Sequence, residues 1–187
     1  MAGGVSEFEA DRFVIALHVL RPQTKKGPLL AEPLADEVLR KIDQATDLYY
    51  RLVIVVAPSG EGKTAAFQEV KRRTAAELVN VNLELARRML EFTERQRALQ
   101  LPRLLADIVG ATAGDVVLLD NIEILFDITL KQDPLRMLQG ISRSKTVVAA
   151  WSGSVAKQRL IYATPGHSEH RSYPIRDFLV VTLEDMA

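Results

Sequence analysis

Eight residues, Ala57-Pro58-Ser59-Gly60-Glu61-Gly62-Lys63-Thr64, follow the β-branched apolar run Leu52-Val53-Ile54-Val55-Val56 and open a helix-forming stretch. That order of strand, glycine loop and helix is what wrapping a triphosphate requires. Backbone N–H groups must close around phosphate oxygens, and Gly60 and Gly62 remove the side chains that would obstruct them. Lys63 supplies a point charge for the β and γ phosphates and Thr64 a hydroxyl for Mg²⁺, while the following helix, entered through Ala65, aims its positive end at the anion. Ala57 stands where the usual pattern has its first glycine, which suits a residue that closes the strand in ordinary β conformation. The predicted nucleotide-binding set is therefore Ala57, Pro58, Ser59, Gly60, Glu61, Gly62, Lys63, Thr64 and Ala65, with ATP or GTP as ligand. The plainer reading is a glycine-rich turn that binds nothing.

A second run, Asp115-Val116-Val117-Leu118-Leu119-Asp120, reads as a buried strand with a carboxylate at its tip. Asp120 there can hold Mg²⁺ through its water shell, so Thr64 and Asp120 form the expected metal pair; alone, Asp120 reads equally as a turn cap. The next residue, Asn121, can orient water but cannot take its proton. Glu123 becomes the candidate general base if the backbone stays extended, against the alternative of a surface charge. Ser152, at the end of the run Thr146-Val147-Val148-Ala149-Ala150-Trp151, is placed to sense a γ-phosphate, or is a loop serine. Arg171 and Arg176, ahead of the final strand, are candidates for a charge delivered to a second subunit's nucleotide, with Arg143 less well placed. The stretch His167-Ser168-Glu169-His170 lacks the partners for a full metal ligand set. Arg87, Arg88, Arg95, Arg97 and Arg103 form a basic-looking run, but Glu84 to Arg88 and Glu91 to Arg95 are spaced for helix ion pairs.

These residues need a framework. Leu34, Val38, Ile42, Ala45 and Tyr49 recur at helical spacing, with Pro33 suited to a first helical position. After the loop the pattern predicts a helix from Lys63 to about Thr74, a strand over Glu77 to Asn82, a helix from Leu83 to about Ala98 and a further helical piece starting at Pro102. The last strand is Phe178-Leu179-Val180-Val181-Thr182. Alternating strands and helices imply an α/β fold, a parallel sheet with helices on both faces in three layers and ligands at the carboxyl ends of the strands.

The 187-residue length and 48% hydrophobic content suit one domain with a substantial core. Twenty-four acidic and 24 basic residues balance, so no global field favours DNA or an anionic membrane; any DNA contact would be local. With no cysteine there is neither a disulfide nor a thiolate metal site, and a cytoplasmic location is the expectation. The run Phe13 to Leu20 is too short to span a membrane and has acidic rather than basic residues before it, so an extra strand or docking segment is expected there. The segment from Arg21 to Pro28 has linker composition. Residues 1–31 are accordingly set apart as an N-terminal extension from a core of 32–187.

From about Leu34 onward the chain resembles the BrxF family, the small P-loop proteins of BREX type 3 phage-defence systems, which are related to the AAA+ ATPases. Beside the glycine loop, the resemblance rests on Asn82-Leu83-Glu84-Leu85, Thr93-Glu94-Arg95-Gln96-Arg97, Leu118-Leu119-Asp120-Asn121, Lys131-Gln132-Asp133-Pro134-Leu135 and Tyr162-Ala163-Thr164-Pro165-Gly166-His167. It implies a P-loop NTPase core with a five-stranded parallel sheet, ATP as the nucleotide, and other BREX defence proteins as partners. The few residues after the last strand leave no C-terminal helical lid, so adenine is expected near the core and the region before the first strand, around Tyr49 and Tyr50. An arginine acting between copies implies a homo-oligomer. The leading expectation is a Mg-ATP-binding, slowly hydrolysing subunit whose nucleotide state controls assembly. A non-catalytic nucleotide-binding scaffold and a small P-loop kinase are the alternatives, the kinase lacking an evident lid sequence.

Overall fold

Six consecutive apolar residues, Leu52–Ala57, form β1, and all six are buried. A strand can be apolar on both faces only when both are covered, so β1 belongs at the centre of a sheet. The computed structural model, which describes residues 28–183, shows this arrangement. β1 pairs in parallel with β4 (Thr146–Ala156) on one side and β7 (Leu179–Thr182) on the other. β3 (Val116–Asp120) and the edge strand β2 (Glu77–Asn80) complete a parallel row in the order β2-β3-β4-β1-β7.

Alternate residues of β1 feed two separate cores. Leu52, Ile54 and Val56 join Leu85, Leu101, Leu105 and Leu138, whereas Val53 and Val55 join Leu34, Val38, Phe67 and Val70. The second face is therefore covered by α1 (Pro28–Ala45) and α2 (Lys63–Arg73), and the first by α3 (Val81–Arg88), α4 (Glu94–Ala111) and α5 (Pro134–Ile141). Each such side chain contributes about 1.5–3 kcal/mol relative to exposure, so the two cores together hold the sheet ends in register.

Three expectations change. α1 is described from Pro28, so Pro33 lies inside it and the boundary expected between residues 31 and 32 falls within a helix; proline's fixed φ is helical, but it has no N–H for the carbonyl four residues before it, so the helix continues at the cost of one hydrogen bond. The helix expected from Leu83 to Ala98 is broken at residues 89–93, because Thr93 and Gln96 form a reciprocal capping box that starts α4 afresh. α4 then continues through Pro102 instead of starting there. The carbonyl of Ala98, which Pro102 leaves without its helical donor, accepts from Gln132 Nε2 at 2.8 Å.

The sheet also has more strands than the five expected. β4 runs on to Ala156 and turns into an antiparallel pair, β5 (Arg159–Tyr162) and β6 (Arg171–Pro174). Gly153 makes the turn-over possible: Trp151 Nε1 donates to Ile161 O at 2.9 Å across it, and a Cβ at 153 would sit 2.0 Å from that oxygen. The Phe126 and Tyr162 rings stack with centroids 3.5 Å apart, and Trp151 meets Phe126 edge-on at 4.9 Å. That cluster ties the hairpin to a short 3-10 helix, Glu123–Phe126, which carries the candidate base.

Among the described residues no helix is long and apolar enough to cross a membrane. The run Phe13 to Leu20 and the linker up to residue 27 lie outside the described residues.

Candidate functional site

β1 ends at Ala57, level with Ser152 of β4, and the chain turns at Pro58 to Glu61 before entering α2. Gly60 and Gly62 have φ of 84° and 85°, a region where a side chain would be strained. Gly62 is the residue before α2, and no side chain caps that helix end. Its first N–H groups thus face the loop, with the positive end of the helix dipole behind them.

Lys63, only 7% exposed, donates from Nζ to the carbonyls of Ala57 at 2.6 Å and Pro58 at 2.8 Å. Burial lowers its pKa from the ordinary lysine value, and the nearby charges of Glu123, Asp120 and Glu61 oppose that shift. Thr64 Oγ1 donates to Asp120 Oδ2 at 2.7 Å, and Asp120 Oδ1 accepts from the N–H of Asn121 at 3.0 Å. Asp120 is itself buried at the carboxyl tip of β3. Residues 56 apart in sequence are brought into direct contact because β1 and β3 are parallel and point the same way, with β4 between them.

Glu123 belongs to the same site, but by a different route from the one expected. The backbone after Asp120 does not stay extended: Asn121 adopts φ 52°, and Glu123 opens a 3-10 helix. Asparagine tolerates that left-handed conformation better than most residues, which suits an amide to this turn. Glu123 Oε1 then accepts from Ser152 Oγ at 2.8 Å, so Ser152 is tied to Glu123 rather than lying idle in a loop. Asn82, expected at a strand end and in one of the stretches that carry the resemblance but given no role at the site, also reaches this segment: its N–H donates to Asn121 O at 2.9 Å and its Oδ1 accepts from the N–H of Ile124 at 2.8 Å. The sequence signal was a second asparagine two residues after Asn80, the one that caps α3.

Other candidates lie elsewhere. Arg171, half-buried on β6, donates to His170 O at 2.9 Å, and Arg176 is exposed in the connection from β6 to β7. Neither forms a described hydrogen bond or ion pair with the glycine loop. Arg143 donates to Tyr49 Oη at 2.8 Å, its guanidinium 5.4 Å from the ring centroid. Tyr49 and Tyr50 precede β1, and Arg51 N donates to Ser142 O beside them at 3.0 Å, so this corner is the amino end of the sheet. The length of β1, about 3.3 Å per residue, separates them from the loop, and the expectation that they hold a base is corrected. His167 Nδ1 accepts from the N–H of Glu169 at 3.2 Å, and His170 Nδ1 lies 3.0 Å from Ala163 O, so both are used in the local turn. The arginine run is partly self-neutralised, with Glu84 pairing Arg87 rather than Arg88 and Asp107 pairing Arg103. A cleft of about 610 Å³ between α4 and α5 shares no residue with the loop.

The site thus gathers an uncapped helix end, an ammonium, a hydroxyl against a carboxylate, and a second carboxylate held by a serine. Hydroxyl and carboxylate oxygens are the hard donors Mg²⁺ takes, so Thr64 and Asp120 fit that ion. No family model matches the chain, and neither a curated protein nor a solved structure matches it.

Proposed function

We propose that this chain is a P-loop ATPase that binds Mg-ATP at the glycine loop and hydrolyses it slowly. The observation that carries the reading is the 2.7 Å contact between Thr64 and Asp120 beside the buried Lys63. A hydroxyl, a carboxylate and an ammonium at the carboxyl ends of two parallel strands are the parts a bound triphosphate needs. Lys63 exchanges its two carbonyl partners for phosphate oxygens, and the N–H groups of residues 60–65 close around the anion. Mg²⁺, when bound, neutralises charge on the phosphate oxygens. In the hydrolytic step a water oxygen bonds to the γ-phosphorus as the bond to the β-bridging oxygen breaks. ADP keeps that electron pair, and Glu123 takes the water's proton. β4, lying between β1 and β3, sets Ser152 in register with Ala57 and against Glu123, which favours this reading over a kinase.

The resemblance to BrxF supports placing this activity in a BREX antiphage complex, with nucleotide state governing assembly among copies of the chain and with partner proteins. Calorimetric titration with ATP, with and without Mg²⁺, together with phosphate release, tests the core of the proposal. Asp120→Ala is expected to bind ATP with no response to Mg²⁺, and Glu123→Gln to bind like the parent while turning over roughly 100-fold more slowly or less. Flat heats for the parent with both ATP and GTP would falsify the reading. Undiminished turnover in Glu123→Gln would remove Glu123 from the chemistry, whereas a parent that binds ATP without turning it over would be a nucleotide-binding scaffold.

A further inference from the structure

We infer that Asn82 is a positioning residue for Glu123, gripping the backbone on both sides of the base; the inference rests on the ATPase reading above. The segment from Asn121 to Ile124 leaves β3 through a left-handed residue and enters a 3-10 helix whose preceding residue, Ile122, supplies no side-chain cap. Its early N–H groups would otherwise lack partners. Asn82, on the first turn of α3, supplies what is missing: its side-chain oxygen accepts from Ile124 N at 2.8 Å while its own N–H holds Asn121 O at 2.9 Å. These bonds fall one residue after and two residues before Glu123, and Ser152 holds the carboxylate itself at 2.8 Å. Two elements therefore fix one residue, α3 through the flanking backbone and β4 through the carboxylate.

Asn82 is not needed to cap its own helix, because Asn80 already does so by accepting from Leu83 N at 3.0 Å. Its carboxamide serves the neighbouring segment alone. A backbone hydrogen bond of ordinary strength adds modest stability, but a base displaced by about 1 Å can cost a hundredfold in rate, so the effect falls on catalysis more than on folding. α3 thereby becomes the element whose position sets the alignment of Glu123, and a partner that shifts α3 would change turnover without touching the nucleotide.

The experiment compares Asn82→Ala, which loses the acceptor, with Asn82→Asp, which keeps one. Amide hydrogen exchange at Ile124 in the nucleotide-free protein is expected to be slow in the parent and in Asn82→Asp and fast in Asn82→Ala. With ATP, Asn82→Ala is expected to lose roughly 10- to 100-fold in kcat at unchanged ATP affinity, and Asn82→Asp to recover most of it. Equal kcat in parent and Asn82→Ala overturns the inference and leaves the ATPase reading standing. So does a loss of ATP affinity in both variants alongside kcat, which would make Asn82 a general structural residue. A parent that binds no ATP overturns the ATPase reading and this inference together.

Discussion

Two lysines at opposite ends of the parallel sheet donate to backbone carbonyls, and the difference between them separates function from stability. Lys63, at the carboxyl ends, holds two loop carbonyls, and its charge is disfavoured by burial even with Glu123, Asp120 and Glu61 nearby. Lys145, at the amino ends just before β4, donates to Val109 O at 3.3 Å, Thr112 O at 2.7 Å and Thr112 Oγ1 at 2.9 Å. Those acceptors close the C-terminal end of α4, where the helix dipole is negative and a cation is welcome. One ammonium is held at a cost in a place where an anion would repay it; the other completes a helix.

The largest effect that sharpens this contrast is on ligand binding at Lys63. Replacing Lys63 by Met is expected to weaken ATP binding by about 3 kcal/mol, roughly a hundredfold in Kd, as expected for deleting one side of a buried charge contact. Because a lowered lysine pKa means that the fold disfavours the ammonium, the nucleotide-free Tm of this variant should hold or rise. Calorimetry and thermal melts on one preparation measure both. A clear drop in Tm with ATP affinity retained would reverse the assignment.

The complementary substitution, Lys145→Met, reverses the two readouts. Loss of the helix-end charge and its hydrogen bonds should cost about 1–2 kcal/mol of stability. In a chain of this size that lowers Tm by roughly 2–8 °C. ATP affinity should be unaltered, since the lysine lies a full strand length from the loop. An ATP-affinity change as large as that of Lys63→Met would dissolve the comparison.

Much of the carboxyl end was legible because its signals are local. A central parallel strand is a continuous apolar run, so Leu52 to Val56 and Val116 to Leu119 announce themselves, and glycines at 60 and 62 report a backbone that other residues avoid. Asp120 follows from being one residue beyond such a run. What escaped depends on segments distant in sequence. The β5–β6 hairpin hangs on Gly153 passing under the Trp151–Ile161 bond, which neither β5 nor β6 encodes alone. Pro102 looked like a helix start because the donor that rescues the Ala98 carbonyl, Gln132, is 34 residues away. The bonds of Asn82 on both sides of Glu123 likewise require the start of α3 and the turn after β3 to meet. Tyr49 and Tyr50 precede β1 and so lie at its amino end, whereas the glycine loop follows it at the other.

α2 spans both kinds of chemistry, and its far end provides the smallest expected effect. It starts at the buried Lys63 and finishes with Arg72 and Arg73, which clasp the half-buried Glu69 near the surface, while Arg73 also reaches Asp36 of α1. Hydrogen bonds from Arg72, then Arg73, pull the Glu69 carboxyl from 4.5 down to about 2. A carboxylate whose folded pKa is depressed adds stability that is complete above its unfolded value and is lost as pH falls through the folded one. Parent and Glu69→Gln should therefore differ slightly in urea midpoint at neutral pH, and the gap should close between pH 4.5 and about 2. The gap is small because the cluster lies at the surface with Arg72 largely exposed, where water screens the pair. ATP affinity at neutral pH should be identical in the two proteins, since this end of the helix points away from the loop. A gap that persists at pH 2 would mean that Glu69 acts by something other than its charge, and a shift in ATP affinity would mean that the two ends of α2 are coupled after all.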